Sequence, residues 1–126
     1  SRLCASSPAQ FGYLAGIQGS KEYLKENYSR ILRRLDYSMK RISEINGIEC
    51  HRPGGAFYLF VKITNSIYSN DDKKFVLDLL HKKHVLVVHG SGFSPEFGKG
   101  HFRMVCLPSI TVLKEAFNRI DEFLNS

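Results

Sequence analysis

The residue that most asks for chemistry is Arg103, in the stretch HFRMVCLP at 101–108. If this stretch is a strand, its side chains alternate between two faces. His101, Arg103, Val105 and Leu107 then share one face, and Phe102, Met104 and Cys106 share the other. Both sets are mostly apolar, which predicts a strand covered on both sides. A guanidinium keeps its proton in a protein, and an unpaired charge held away from water is costly. Arg103 therefore needs an anion. One candidate is an Asp or Glu of the chain. The other is a ligand carboxylate held by two parallel charge-assisted hydrogen bonds. Spacing alone leaves both open.

The other groups with chemical potential are weaker. GSGFSPEFGKG at 90–100 carries four glycines. It is neither GxxxxGK[ST] nor a GxGxxG that opens a helix, and it leads into a strand. A connection or a mobile cover suits it better than a nucleotide cradle. His81, His84, His89 and His101 raise the question of a metal. His81 and His84 lie three apart on a predicted helix, but no Cys or carboxylate completes a known ligand spacing, so the reading is no metal site. No nucleophile elbow is present. Cys4, Cys50 and Cys106 are odd in number and widely spaced. They read as free thiols in a reducing cytoplasm rather than a disulfide framework or a zinc ribbon.

Several elements must position these residues. Ser7-Pro8 marks a helix start, with Ser7 as N-cap, and Gly12, Gly16 and Gly19 weaken that helix. Residues 20–46 give the strongest helical signal. Leu24, Tyr28, Ile31, Leu35, Ser38, Ile42 and Ile45 recur in steps of four and three, Ser20 is the N-cap, and Gly47 follows the end. IECHRPGG (48–55) reads as a short strand running into a turn, and AFYLFVKI (56–63) as a strand rich in aromatic and branched residues. DDKKFVLDLLHKKH (71–84) is an amphipathic helix with acids in its first turn and bases in its last. VLVVHG (85–90) is a short buried strand. SITVLKEAFNRIDEFLNS (109–126) is a final helix capped by Ser109. The expected class is α/β of the α+β type: a small mixed sheet with helices packed on it, led by a long helix.

The chain has 126 residues, the length of one domain with a real core. It opens on Ser1, as expected for a processed product or a fragment. The N-terminus has no signal-peptide pattern, and no apolar run reaches the roughly 20 residues that span a membrane. The net charge of +6 is spread along the chain. Its densest cluster is Arg30, Arg33, Arg34, Lys40 and Arg41, without interleaved aromatics or a nucleic-acid motif. A solvated basic surface is the simpler reading, and no nucleic-acid partner is expected.

Five segments carry a resemblance. RLCASSPAQF, HRPGGAFYLFVKI, FVLDLLHKKHVLVVHGSGF, GHFRMVCLP and LKEAFNRIDEFL stand in the order and spacing of the C-terminal part of class I/II aminotransferases. These are pyridoxal-phosphate enzymes of fold type I, and the chain is most similar to their alanine and aspartate aminotransferase branch. The resemblance implies that Arg103 binds the substrate's α-carboxylate, with Gly90, Gly92 and Phe93 in a loop that covers the site. It implies a hinge helix (1–19) leading out of a large domain that this chain lacks, and a small domain (20–126). It also implies a cytoplasmic homodimer acting on an amino acid of the alanine, aspartate or glutamate class and on a 2-oxo acid. Two departures stand out. The family commonly has proline before the first loop glycine, where this chain has His89, and a glycine where it has Ser94. The family's S-x-x-K lysine, its aspartate for the pyridine nitrogen and its phosphate-holding residues have no counterparts; Lys62, Lys82 and Lys99 stand in other contexts. No catalytic or cofactor-binding residue is therefore expected here, and the fragment alone is expected to be inactive. The alternative is a stand-alone, non-catalytic module that binds a protein or nucleic acid through the helix bearing Arg30, Arg33 and Arg34.

Overall fold

The computed structural model describes residues 4–125; Arg2 and Leu3 of the RLCASSPAQF segment, and Ser126 of the final helix, lie outside them. The chain divides into two compact units, one up to Arg30 and one from Ile31 onward. The first holds helix α1 (Ser7–Gln18) and the opening turns of α2 (Glu22–Glu44). α1 begins at Ser7, so Pro8 lies in its first turn and Ser6 takes the N-cap position, one residue before the expected Ser7. Phe11, Tyr13, Leu14 and Ile17 are exposed, and so are Leu24 and Tyr28 at the start of α2, where the apolar stripe predicted core. The stripe becomes core only from Leu35, where Leu35, Ser38, Ile42 and Ile45 are buried.

The second unit is a four-stranded sheet with helices on one face. Its elements after α2 are β1 (Ile48–Glu49), β2 (Tyr58–Ile63), α3 (Asp72–Lys83), β3 (Val88–His89), β4 (His101–Val105) and α4 (Ile110–Leu124). The spatial order is β1-β2-β4-β3, and each neighbouring pair is antiparallel. The expected mixed sheet is thus corrected to an antiparallel one. The reason is topological. β2, α3 and β3 form a crossover whose two strands run the same way, but β4 returns between them and pairs antiparallel with both.

Alternation in β2 builds the core face. Leu59, Val61 and Ile63 are buried while Tyr58, Phe60 and Lys62 are exposed. Leu59 lies opposite Met104 and Val61 opposite Phe102, so the two central strands present one continuous apolar layer. Phe75 of α3 stacks on Phe102 and meets Tyr68 and Phe123 edge-on, tying α3, α4 and the sheet together. Local signals set the helix ends. Asp71 caps α3 by accepting from the Lys74 N–H at 3.0 Å, and Ser109 caps α4 by accepting from Val112. His84 ends α3 in the left-handed conformation, φ 56°, and its N–H donates to the Leu80 carbonyl. On the sheet's other face, within the second unit, Tyr58, Phe60, Val88 and Val105 are exposed.

Candidate functional site

The open face carries the site. β4 is a central strand, so Arg103 lies opposite Phe60 on β2 and Val88 on β3. The strand is not covered on both sides as its composition predicted. Phe102 is fully buried, yet Val105 and Val88 are 37% and 41% exposed, and Tyr58 and Phe60 are each 40% exposed. All the packed helices share the Phe102 side, which leaves the arginine side as a half-exposed aromatic floor.

Arg103 is half-buried in that floor. Its guanidinium carbon lies 4.2 Å from the centre of the Phe93 ring and 4.7 Å from that of Tyr58. Both are cation–π distances. Among the described residues no carboxylate comes within ion-pair distance of it: every Asp and Glu in a salt bridge is paired with another base. An internal ion pair is one of the two readings of this arginine, and the described residues make none with it. Aromatic faces hold a cation without filling its hydrogen-bonding fork, so the N–H groups stay available to an anion. Lys62, on the exposed face of β2, is matched to Glu49 across the β1–β2 pair at 2.8 Å. That lysine's hydrogen bond and charge hold the Glu49 carboxyl below its ordinary value. His101 stacks on Phe60, its ring centre 5.1 Å away, with Nδ1 at 3.0 Å from the Lys99 carbonyl.

The glycine loop folds against this face in a definite way. Gly90–Gly92 form one turn of 3₁₀ helix, closed by the Phe93 N–H donating to the Gly90 carbonyl at 2.8 Å. Gly90 and Gly98 pass backbone against backbone. A Cβ on Gly98 would stand 2.0 Å from the Gly90 oxygen, and a Cβ on Gly90 would stand 2.3 Å from the Gly98 oxygen. Only glycine fits either position. Gly92 faces the His89 ring. Of the loop residues marked in the sequence, Phe93 is brought onto Arg103, while Gly90 and Gly92 shape the loop's base.

Asp72 was missed. Its place in the first turn of α3 read as a partner for the helix dipole, yet its side chain is only 3% exposed. Oδ2 accepts the Ser91 N–H at 2.8 Å, which joins α3 to the glycine loop. His89 Nδ1 lies 3.8 Å from the same oxygen and 3.1 Å from the Ser91 hydroxyl. Burial is the largest single influence on this carboxyl and favours protonation, but hydrogen bonds from Ser91, from its own N–H and from Gly100 outweigh it and leave the pKa below the ordinary value of 3.8. A carboxyl lowered on folding stabilises the native state above its unfolded pKa, and that stability is lost as pH falls through the folded value. The wild-type chain should therefore lose stability below about pH 3.8 more steeply than Asp72→Asn. Denaturation midpoints of both proteins across the acid range measure this; parallel curves would refute it.

Several arginines of the basic cluster are paired within the chain. Arg30 pairs with Glu26 at 2.7 Å and Arg41 with Glu44 at 3.0 Å, while Arg34 donates to the Leu107 carbonyl. Among the described residues no three His, Cys, Asp or Glu side chains gather closely enough to hold a metal, and no helix is long and apolar enough to cross a membrane.

With this geometry in hand, comparison with known proteins is decisive. The family model "Aminotransferase class I and II" matches residues 1–120. The chain belongs to the class I and II aminotransferases. Among curated members of this aminotransferase family, the glutamate-pyruvate aminotransferase AlaA of Haemophilus influenzae is 39% identical over 98% of this chain and 31% of its own length. The alanine aminotransferase of Mycobacterium tuberculosis is 36% identical over 99% of this chain and 30% of its own length. In solved structures, the alanine aminotransferase of Pyrococcus furiosus superposes with a TM-score of 0.92 at 52% identity, covering 98% of this chain and 31% of that one. The aspartate aminotransferase of Rhizobium meliloti gives 0.87 at 30% identity, over 97% and 32%. The chain thus spans about 31% of these aminotransferases, their C-terminal portion.

Class I and II aminotransferases depend on pyridoxal phosphate. Lys62, Lys82 and Lys99 do not fit that cofactor. An imine-forming lysine needs a desolvated amine of lowered pKa. Lys62 is on the open face but 55% exposed and bound to Glu49, Lys82 lies 3.9 Å from Asp78 on the surface, and Lys99 is exposed on the glycine loop. No step through the cofactor is assigned to these lysines.

Proposed function

We propose that this chain is the substrate-carboxylate-binding portion of an aminotransferase that moves an amino group between an amino acid of the alanine, aspartate or glutamate class and a 2-oxo acid. One observation carries the reading: Arg103 stands on an open sheet face, flanked by two rings, with no carboxylate of the described residues on its fork. Substrates and products of amino-group transfer all bear a carboxylate, and a planar fork binds it through two N–H donors at once. The names of the relatives, alanine and glutamate-pyruvate aminotransferases, support the substrate class.

On this reading residues 1–19 lead from a large domain as a hinge helix, and 20–126 belong to the small domain. The glycine loop with Gly90, Gly92 and Phe93 covers the bound carboxylate and excludes water. The cofactor and its lysine are held by residues outside this chain, in a cytoplasmic homodimer. The 126-residue chain alone is then inactive. Mixed with pyridoxal phosphate and alanine, it should produce no pyruvate and no change in cofactor absorbance beyond that of free cofactor. The native gene product should be several-fold heavier than 14.4 kDa, yellow with bound cofactor, and bleached by alanine. A native product of 14.4 kDa that ignores the cofactor would overturn the proposal.

A further inference from the structure

We infer that Asp72 is a positioning residue for substrate binding: by holding the Ser91 N–H it fixes the turn that lays the Phe93 ring over the Arg103 guanidinium. The inference rests on the carboxylate reading of Arg103. It goes beyond that reading by naming a residue that never meets the substrate.

The contacts form a continuous chain. Asp72 is anchored in the first turn of α3 and is buried, which restricts its carboxylate. Oδ2 accepts the Ser91 N–H at 2.8 Å, in the middle of the 3₁₀ turn. Two residues on, Phe93 closes that turn through its own N–H and places its ring 4.2 Å from the guanidinium carbon. The same ring meets Phe60 edge-on, with centres 6.4 Å apart. Phe93 is itself 50% exposed, so burial does little to hold it in place. The turn beneath it must do so, and Asp72 pins the turn.

A guanidinium on a flexible four-bond stem loses rotamer freedom when it grips a carboxylate. Rings at its side remove part of that cost before the ligand arrives. Releasing the turn lets Phe93 leave, and the arginine must then be ordered by the substrate. For Asp72 the loss appears in binding, because the carboxylate acts through the turn beneath Phe93 and not on the substrate itself.

The test uses the full-length enzyme, with alanine and pyruvate as probes, in Asp72→Asn, Phe93→Leu, Phe93→Tyr, Arg103→Lys and the double variant Asp72→Asn/Phe93→Leu. Asn keeps an acceptor oxygen but presents an N–H to one of the donors that Asp72 now receives. Asp72→Asn should raise KM for alanine about threefold to thirtyfold with kcat held within about twofold, and Phe93→Leu should raise KM by a similar factor. Phe93→Tyr, which keeps the aromatic face, should restore the wild-type KM. The double variant should be no worse than the poorer single one, since both substitutions break the same contact. An unchanged KM in Asp72→Asn while Arg103→Lys is impaired would overturn the inference and leave the arginine's role standing. Fully additive losses in the double variant would also overturn it, as would a loss in kcat alone. If Arg103→Lys itself changes nothing, the underlying carboxylate reading falls first.

Discussion

Arg103→Lys in the full-length aminotransferase should raise KM for the amino-acid substrate and lower kcat/KM by about 1.5–3 kcal/mol, the worth of one charge-assisted hydrogen-bonded contact. Lysine keeps the positive charge but replaces a planar, five-donor fork with a point charge. It also lies less well against the two rings that now flank the guanidinium at 4.2 and 4.7 Å. Nothing in the described sheet compensates, since the neighbouring Lys62 is occupied by Glu49. Steady-state kinetics in both directions of transfer measure the loss, because the amino acid and the 2-oxo acid both present a carboxylate. Wild-type kinetics in the lysine variant would exclude Arg103 from substrate binding.

The second large effect concerns Gly98→Ala. The new Cβ would stand 2.0 Å from the Gly90 oxygen, 2.4 Å from the Gly90 carbon and 2.6 Å from the Ser94 oxygen. All three are backbone atoms, so no side chain can swing aside. The loop must open, and overpacking of this kind costs about 1–3 kcal/mol, occasionally more. Gly54→Ala is the matched control. No atom lies within 4 Å of its added Cβ, and its backbone is outside the left-handed region. Restricting the unfolded chain there should raise stability by about 0.4–1 kcal/mol. Chemical denaturation of the two variants should therefore shift in opposite directions. In the full-length enzyme Gly98→Ala should also raise KM, because the turn carrying Phe93 is built on the same crossing. Equal stabilities for the two alanine variants would show that the Gly90–Gly98 approach does not hold the loop.

Much of this protein could be read from its residues in order. Helix periodicity placed α2, α3 and α4, with Ser109 at the cap of α4, while Asp71, read as the first helical residue, proved to be the cap of α3. The aromatic and branched run AFYLFVKI marked the strand β2, and the structure shows that its Leu59, Val61 and Ile63 face the core. These signals are local: a turn of helix or a two-residue pleat repeats within a few positions, and burial follows from it. The demand that Arg103 find an anion was equally local, a consequence of its chemistry and its apolar neighbours. Sequence could not say whether that anion belonged to the chain. The tertiary structure shows that no carboxylate of the described residues pairs with Arg103, because β4 lies between β2 and β3 and the core packs on its Phe102 side. That order leaves the arginine face open and sets it between rings from β2 and the glycine loop. Asp72 was illegible for the same reason. Its partner Ser91 lies 19 residues away, and only the path of the chain through α3 and β3 brings the two together. Pairing across such distances depends on which strands meet, and no local repeat records that.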